Sequence, residues 1–192
     1  MEPDAADDAE LLRAHGAGDP HAFGRLYDRY DPALFRFIRR LLGAAHADAA
    51  EDLHQETWIA VSNNAATFDP SRASFAAWLF TIARRKAFDH FRRQKVAVVA
   101  QAQDDAAMMV ADPGQSPLDQ VQSRELAQEI VTAVEALPLE QRGAFVLFAQ
   151  AGLSLAEIAE ASGATVETVK SRLRYARAKL RQALVGERSA HV

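Results

Sequence analysis

The sequence predicts an all-α protein built from two small helical domains that a flexible, acidic linker joins. Apolar residues recur at three- and four-residue spacings, as in Leu34, Phe37, Ile38 and Leu41, which is the period of one helix face. Helix-start signals accompany these stripes. The single stretch with strand character, 96–100, has no second strand with which to pair.

The helix starts follow from short capping patterns. Asp19, Asp31 and Ser116 each precede a proline, which predicts a cap followed by proline at the first helical position. Asp48 stands three residues before Glu51 and predicts a capping box that opens the next helix. A further helix is expected from about 75 to 93.

The distribution of charge and of helix-breaking residues sets the expected domain boundaries. Residues 96–123 hold four acids and no base, together with a proline- and glycine-containing stretch at 112–117. We therefore expect an acidic N-terminal tail at 1–18, a first helical domain at 19–95, a linker at 96–122 and a second helical domain at 123–192.

Composition limits the class of protein. The chain has 192 residues, a net charge of −4 and 49% apolar residues, which is typical of a globular protein. The lack of cysteine excludes a disulfide scaffold, a thiolate zinc site and a cysteine nucleophile, and it fits a cytoplasmic location. The acidic N-terminus does not resemble a signal peptide, and no apolar run approaches the ~20 residues of a membrane span, so direct membrane insertion is not expected.

The basic residues are segregated into two stretches. Residues 72–95 contain seven bases and one acid, and residues 163–188 contain seven bases and two acids. Two basic helices in an acidic chain indicate two contacts with a polyanion. The alternative is a pair of solvated helix faces.

The second basic stretch has the pattern of a helix-turn-helix. Ser154 is expected to cap a short helix, Gly163 to form the turn and Thr165 to cap a second helix. Its predicted buried stripe is Val166, Val169, Leu173, Ala176 and Leu180. The residues that would then face a DNA major groove are Glu167, Thr168, Lys170, Ser171, Arg172 and Arg174. This combination favours DNA binding over an ordinary helical hairpin.

The first basic stretch alternates cations with aromatic rings, a mixture that suits unpaired DNA. Its cations are Arg84, Arg85, Lys86, Arg92 and Arg93, and its rings are Phe75, Trp78, Phe80, Phe88 and Phe91. The same ring spacing also describes a buried stripe. We therefore assign the binding role to the basic positions and to the loop before the helix.

A metal or cofactor site is not expected. Glu51 and His54 have the E-x-x-H spacing of di-iron bundles, but such a site needs a second copy, and no other histidine has a glutamate three residues earlier. The phosphate-binding loop and the serine-nucleophile elbow are also missing, so an enzymatic function has no motif to support it.

Four blocks of the sequence resemble the extracytoplasmic-function (ECF) group of RNA polymerase sigma factors in the sigma-70 family. Residues 19–30, 50–58 and 75–93 resemble its region 2, and residues 137–173 resemble its region 4. The blocks occur in the family's order and cover most of the chain outside the linker and the termini. The chain departs from the family's usual residues at Arg85 and Tyr175.

The resemblance implies a promoter-specificity subunit that performs no chemistry itself. Asp52, Gln55 and Glu56 match the helix that binds the β′ clamp coiled coil of core polymerase. The implied contacts with the minus-ten element, for recognition and melting, are Asn63, Asn64, Phe68, Arg72, Arg84, Arg85, Lys86, Arg92 and Arg93. The implied contacts with the minus-thirty-five element are Thr165, Glu167, Thr168, Lys170, Ser171, Arg172, Arg174 and Arg177. The polymerase β flap and an anti-sigma factor are the other partners that the resemblance implies.

Two other classes of function are weighed against this interpretation. A stand-alone helix-turn-helix repressor or response regulator leaves residues 20–93 unexplained, and their helical pattern does not fit a receiver sheet. A helical metal-dependent enzyme is opposed by the missing second E-x-x-H copy.

Overall fold

A computed structural model describes the backbone of residues 5–100 and 119–190, and the side-chain surroundings of 8–94 and 127–183. The described parts are helical and contain no strand, which confirms the all-α prediction. The helices are α1 (Ala5–Gly16), α2 (Pro20–Leu42), α3 (Ala50–Asn63), α4 (Phe75–Ala100), α5 (Asp119–Glu135), α6 (Leu139–Ala149), α7 (Leu155–Ser162) and α8 (Val166–Ala190).

Helix α2 is the centre of the first half, α1–α4. Its buried stripe includes Leu26, Leu34, Phe37 and Ile38, none of which is accessible to solvent. Helices α1, α3 and α4 all pack against it. Burial of one apolar stripe on three neighbours is the main source of stability for helices of this length.

The structure differs from the expectation of an acidic tail at 1–18. Residues 5–16 form α1, whose Leu11 and Leu12 are buried. Asp8 is 2% exposed and accepts hydrogen bonds from Arg29 and from the Tyr30 hydroxyl of α2. Burial and this bond to Asp8 raise the pKa of Tyr30. One of the N-terminal acids, Asp8, is therefore a buried hydrogen-bond partner of α2, which the composition alone does not reveal.

Two of the predicted helix starts are wrong. Asp19 caps α2 as expected, accepting from the His21 amide, but Asp31 and Pro32 lie inside α2. Buried residues on both sides, Tyr30 and Leu34, stabilise the helix despite the amide that proline lacks. Helix α3 follows a 3₁₀ turn at Ala44–Ala49 and has no side-chain cap, so Asp48 does not form the expected capping box.

The second half, α5–α8, contains the predicted helix-turn-helix. Ser154 and Glu157 form the capping box of α7, and Gly163 ends α7 with a left-handed φ of 59°. Thr165 accepts a hydrogen bond from the Thr168 amide at 3.2 Å and so caps α8. Val169, Leu173, Ala176 and Leu180 are buried as predicted, whereas Val166 is 36% exposed because it lies in the first turn of α8.

The two halves pack against each other and share one buried cluster. Helix α4 contacts α7, and α2 contacts α5 and α6. Of the predicted linker at 96–122, residues 96–100 continue α4 and α5 begins at Asp119. The remainder, with the predicted Ser116 cap, lies outside the described residues.

Candidate nucleic-acid interface

The three predicted polymerase-binding residues lie together on the solvent face of α3. Asp52, Gln55 and Glu56 are exposed, while Leu53 and Thr57 are buried on the opposite side. Helical spacing therefore places the three polar side chains on one continuous surface. Glu56 accepts from Lys86 of α4 at 3.0 Å, so this surface adjoins the basic stretch.

Ile59 belongs to the same surface, although no role was expected for it from the sequence. Its side chain is 59% exposed, the highest exposure of any large apolar residue in the described part of the chain. The sequence spacing already indicates that Ile59 shares a helix face with these residues, because it follows Asp52 by seven residues and Gln55 by four. Ile59 therefore adds an apolar side chain to the exposed face that the three polar residues form.

A polar cluster around the buried His54 and Trp58 supports this face from below. The His54 imidazole lies 2.7 Å from an Asp31 carboxylate oxygen, and the Trp58 indole nitrogen donates to His54 at 3.2 Å. Tyr27 packs on the Trp58 ring at 5.0 Å, and its pKa is raised by the hydrogen bond to Asp31 and by burial. His54 thus pairs with α2, and the described residues contain no cluster of three or more potential metal ligands.

The predicted minus-ten loop joins α3 to α4. Asn63, Asn64 and Arg72 are exposed, whereas Phe68 is half-buried against the Trp78 ring at 5.2 Å. Asp69 accepts from the hydroxyl and the amide of Ser71, and these bonds lower its pKa. The loop is therefore held in shape by its own hydrogen bonds.

A cavity of about 460 Å³ lies between this loop and α1. Phe68 and Pro70 line it on the loop side, and Leu12 and Arg13 line it on the side of α1. Helix α1, which lies in the stretch expected to be a tail, therefore forms one wall of a space beside the loop.

The basic residues of α4 divide between two faces. Arg85, Arg92 and Arg93 are exposed, and Arg92 pairs with Asp89 at 3.2 Å. Arg84 points the other way and is only 9% exposed. Sequence spacing groups the five cations, but the structure brings Arg84 against the second half of the chain.

On α8, most of the predicted DNA-binding residues are exposed: Thr165, Glu167, Thr168, Lys170, Arg174 and Arg177. Ser171 and Arg172 are half-buried. Lys170 pairs with Glu167 at 2.7 Å within the first turns of the helix. Both charged side chains are therefore exposed near the N-terminus of α8.

The basic face of α8 also borders a groove with an apolar floor. Phe148, Leu155 and Leu173 line a cavity of about 510 Å³, whose basic rim includes Lys170 and Arg181. Two cation–π contacts lie nearby: Arg177 stacks over Phe148 at 5.2 Å, and Arg174 over the exposed Tyr175 at 5.3 Å.

These features define a class of protein: an all-α chain with a helix-turn-helix and a basic helix in one half, and an exposed, acidic helix face with one apolar residue in the other. The Sigma-70 region 2 family model matches residues 26–96, and the Sigma-70, region 4 model matches residues 127–180.

Curated relatives agree with these matches. The chain is 34% identical over 177 residues to the ECF RNA polymerase sigma factor SigM of Mycobacterium tuberculosis, covering 92% of this chain and 84% of the relative. It is 34% identical to SigW of Bacillus subtilis, covering 87% and 91% respectively. It is also 34% identical to BldN of Streptomyces coelicolor, of whose length it spans 62%.

Solved structures show the same fold. CnrH, in complex with the cytosolic domain of CnrY, matches with a TM-score of 0.68 at 30% identity, covering 95% of this chain and 99% of CnrH. RpoE of Bartonella quintana, in complex with the anti-sigma factor NepR, also gives 0.68 at 28% identity, with 84% and 96% covered. The chain belongs to the sigma-70 family of RNA polymerase sigma factors, in its ECF group.

Membership of this family gives the class of function. The chain is a sigma factor that binds core RNA polymerase and directs it to promoters, and sigma factors are not catalysts. No helix in the described parts has the length and apolar character needed to cross a bilayer.

Proposed function

We propose that the chain docks on core polymerase through the α3 face, with Asp52, Gln55 and Glu56 contacting the β′ clamp coiled coil. The observation that supports this most directly is the exposure of all three side chains on one rigid helix. Ile59 adds an apolar anchor to the same surface, at 59% exposure. Apolar burial at the centre of a polar contact is the usual arrangement of a stable protein interface.

The region 2 half would then recognise and open the minus-ten element. Arg85, Lys86, Arg92 and Arg93 supply positive charge along α4, and Arg72 extends it into the loop. Asn63 and Asn64 add neutral amide groups that can donate and accept hydrogen bonds. The cavity beside Phe68 is large enough for an unstacked base, and Arg13 at its wall can meet a phosphate. Arg84 is part of this set only when it is released from the second half.

The region 4 half would bind the minus-thirty-five element with the N-terminal part of α8. Lys170 and Arg174 occupy positions that can reach base edges, whereas Arg177 lies nearer the flank, where contact with phosphate is expected. Thr165, Glu167, Thr168 and Ser171 lie in the same turns. The polymerase β flap would contact the same half.

Regulation by an anti-sigma factor is part of the same proposal. CnrH was solved with CnrY, and RpoE of Bartonella quintana with the anti-sigma factor NepR, and this chain resembles both sigma factors over most of its length. We further propose that the chain acts in the cytoplasm, where its polymerase is, and that it needs no cofactor and catalyses no reaction of its own.

In vitro transcription with core polymerase and a promoter library tests the proposal. The wild-type chain should select a set of promoters that share one upstream and one downstream element. Replacing Asp52, Gln55 and Glu56 together with alanine should abolish this transcription and weaken core binding, with the fold intact by circular dichroism.

A matched control replaces residues of the same three types that are exposed elsewhere. Alanine at Asp28, Gln150 and Glu160 removes the same groups from other surfaces and should leave core binding unchanged. Equal core binding by the α3 variant and the wild type would reject the assigned docking face.

A further inference from the structure

Helices α2 and α3 meet along two ridges of side chains. The α3 ridge consists of His54 and Trp58, which are four residues apart and both buried. The α2 side chains that meet them also recur every four residues: Phe23, Tyr27, Asp31 and Phe35. The ring centre of Phe23 lies 5.7 Å from that of Trp58, and the ring centre of Phe35 lies 5.4 Å from that of His54. Ridges of residues spaced by four are the commonest means by which helices pack.

Asp31 is the one charged residue of the α2 ridge, and both α3 side chains reach it. Its Oδ1 atom lies 2.7 Å from Nε2 of His54 and 3.3 Å from Nε1 of Trp58. The indole N–H also lies 3.2 Å from that imidazole nitrogen, which accepts from it only while it carries no proton. Tyr27, one turn earlier on α2, hydrogen-bonds to the same carboxylate. Three side chains from two helices therefore converge on Asp31.

The aromatic rings of the α2 ridge do not by themselves select one alignment of the two helices. Trp58 contacts the rings of both Phe23 and Tyr27, so a shift of α3 by one turn, about 5.4 Å, would still place its indole against an aromatic neighbour. The ridge has a carboxylate at a single position, and the same shift would separate Asp31 from its α3 partners. A polar residue in an apolar seam is the best-attested device for fixing the register of packed helices.

The register of α3 decides where the docking face, formed by Asp52, Gln55 and Glu56, lies on the first half of the chain. These side chains are exposed on the side of α3 that faces away from the ridge. Helix α3 begins without a side-chain cap, so no cap fixes its start. A shift by four residues moves the docking face by about 5 Å and turns it by about 40°. Binding groups must be held within about 0.5 Å and 20°, so this change is large.

We propose that Asp31 is a positioning residue for polymerase docking, because it fixes the register of α3 on α2 and so holds the docking face in place. This inference rests on the proposed function, since the docking face is the one assigned there. Asp31 contacts no partner itself under this proposal. Its replacement should therefore affect core binding more than it affects the stability of the fold.

The first test, Asp31→Leu, separates positioning from stability. An apolar side chain of similar size in place of a part-buried ionic group is often neutral or stabilising, so the urea midpoint should not fall. Core affinity should nevertheless drop about tenfold, because the apparent affinity follows the fraction of molecules in which α3 keeps its register. Wild-type core affinity in Asp31→Leu would overturn the proposal.

Asp31→Asn keeps the shape of the side chain and has a matched control in Asp8→Asn. The Asp8 carboxylate also accepts from side chains of α2, those of Arg29 and Tyr30, but it joins α2 to α1. Asp8→Asn should lower the urea midpoint and leave core affinity unchanged, whereas Asp31→Asn should lower core affinity. An equal loss of core affinity in both variants would mean a general weakening of the fold and would overturn the positioning role.

Spin labels measure the register directly and do not depend on the folding of Asp31→Leu. The chain has no native cysteine, so Asp28→Cys on α2 and Glu51→Cys on α3, both exposed positions, carry one label each. The chain with Asp31 should give one distance between the labels. Asp31→Asn should add a second distance, shifted by up to about 5 Å, one helical turn. A single, unchanged distance in Asp31→Asn would contradict the proposal.

A combined variant distinguishes this inference from the proposed function. In a chain whose docking face is already replaced by three alanines, Asp31→Asn should cause no further loss of core affinity, because it acts through groups that are absent. A further tenfold loss in that background would reject the positioning role. Wild-type core affinity in the three-alanine chain itself would instead reject the proposed docking face.

Discussion

The turn of the helix-turn-helix depends on the left-handed backbone of Gly163, and this dependence can be tested with a pair of glycines. Gly163 has φ 59° and ψ 34°, and a Cβ placed on it would meet no heavy atom within 4 Å. Gly24, inside α2, is equally open but has ordinary helical backbone. The same substitution by alanine therefore changes the backbone energy alone at both positions.

The expected effects have opposite signs. Alanine in the left-handed region costs about 1–2 kcal/mol. Alanine also lowers the conformational entropy of the unfolded chain, which offsets part of this cost, so Gly163→Ala should lose about 1 kcal/mol of unfolding free energy. Alanine inside a helix is better than glycine by about 0.5–1 kcal/mol, so Gly24→Ala should gain stability. The two variants should thus differ by about 2 kcal/mol.

Urea denaturation followed by circular dichroism measures both changes. Thermal denaturation gives a second measure: at about 2–4 °C per kcal/mol, the melting temperatures of the two variants should differ by roughly 4–8 °C. Gly163→Asn is a further check, because asparagine tolerates the left-handed region and should cost less than alanine. If Gly163→Ala and Gly163→Asn cost the same, or if Gly24→Ala also destabilises, the backbone explanation is refuted.

Three further predictions concern contact with DNA and the stability of the fold at low pH. Lys170→Ala should cost about 1–3 kcal/mol on the preferred minus-thirty-five sequence and relax base choice there, while Lys179→Ala should weaken all sequences alike. Footprinting of holoenzyme across a mutated upstream element separates the two, and protection that ignores the sequence would rule out base readout. Arg92→Ala should reduce the slope of log affinity against log salt for single-stranded DNA by about 0.7, one released counterion, and an equal slope would remove Arg92 from the interface. Burial raises the pKa of Glu157, but hydrogen bonds from Ser74 and from the Ser154 amide and hydroxyl lower it more, so its folded pKa lies below the ordinary 4.5. The contribution of Glu157 to the free energy of unfolding is therefore complete above pH 4.5 and is lost as the pH falls through the folded pKa. Wild type should lose more stability over this range than Glu157→Gln. Urea titrations at several pH values measure the difference.

Local chemistry was predictable from the sequence. Asp19, Ser154 and Thr165 cap the helices expected of them, because a cap needs only a side-chain oxygen and an amide two or three residues away. The glycine turn and most of the α8 stripe follow from equally short patterns. These features place the helix-turn-helix without knowledge of any other part of the chain.

Features that depend on a distant partner were not predictable. Asp31 resembles a helix cap, but it faces His54 and Trp58 from inside α2. Arg84 shares a basic stretch with Arg85, but Glu140, 56 residues away, decides which way it points. Ile59 fits an apolar pattern, and only the packing of α3 on its neighbours shows that nothing covers it.

The positions of the two tryptophans give the molecule an optical consequence. The sequence contains two tryptophans, and one lies under each proposed surface of region 2. Trp58 is 5% exposed beneath the α3 face, and Trp78 packs against Phe68 of the loop. The emission of Trp58 should therefore respond to polymerase docking, and that of Trp78 to rearrangement of the loop on DNA. With phenylalanine at either position, the remaining indole becomes a label-free probe of a single binding event.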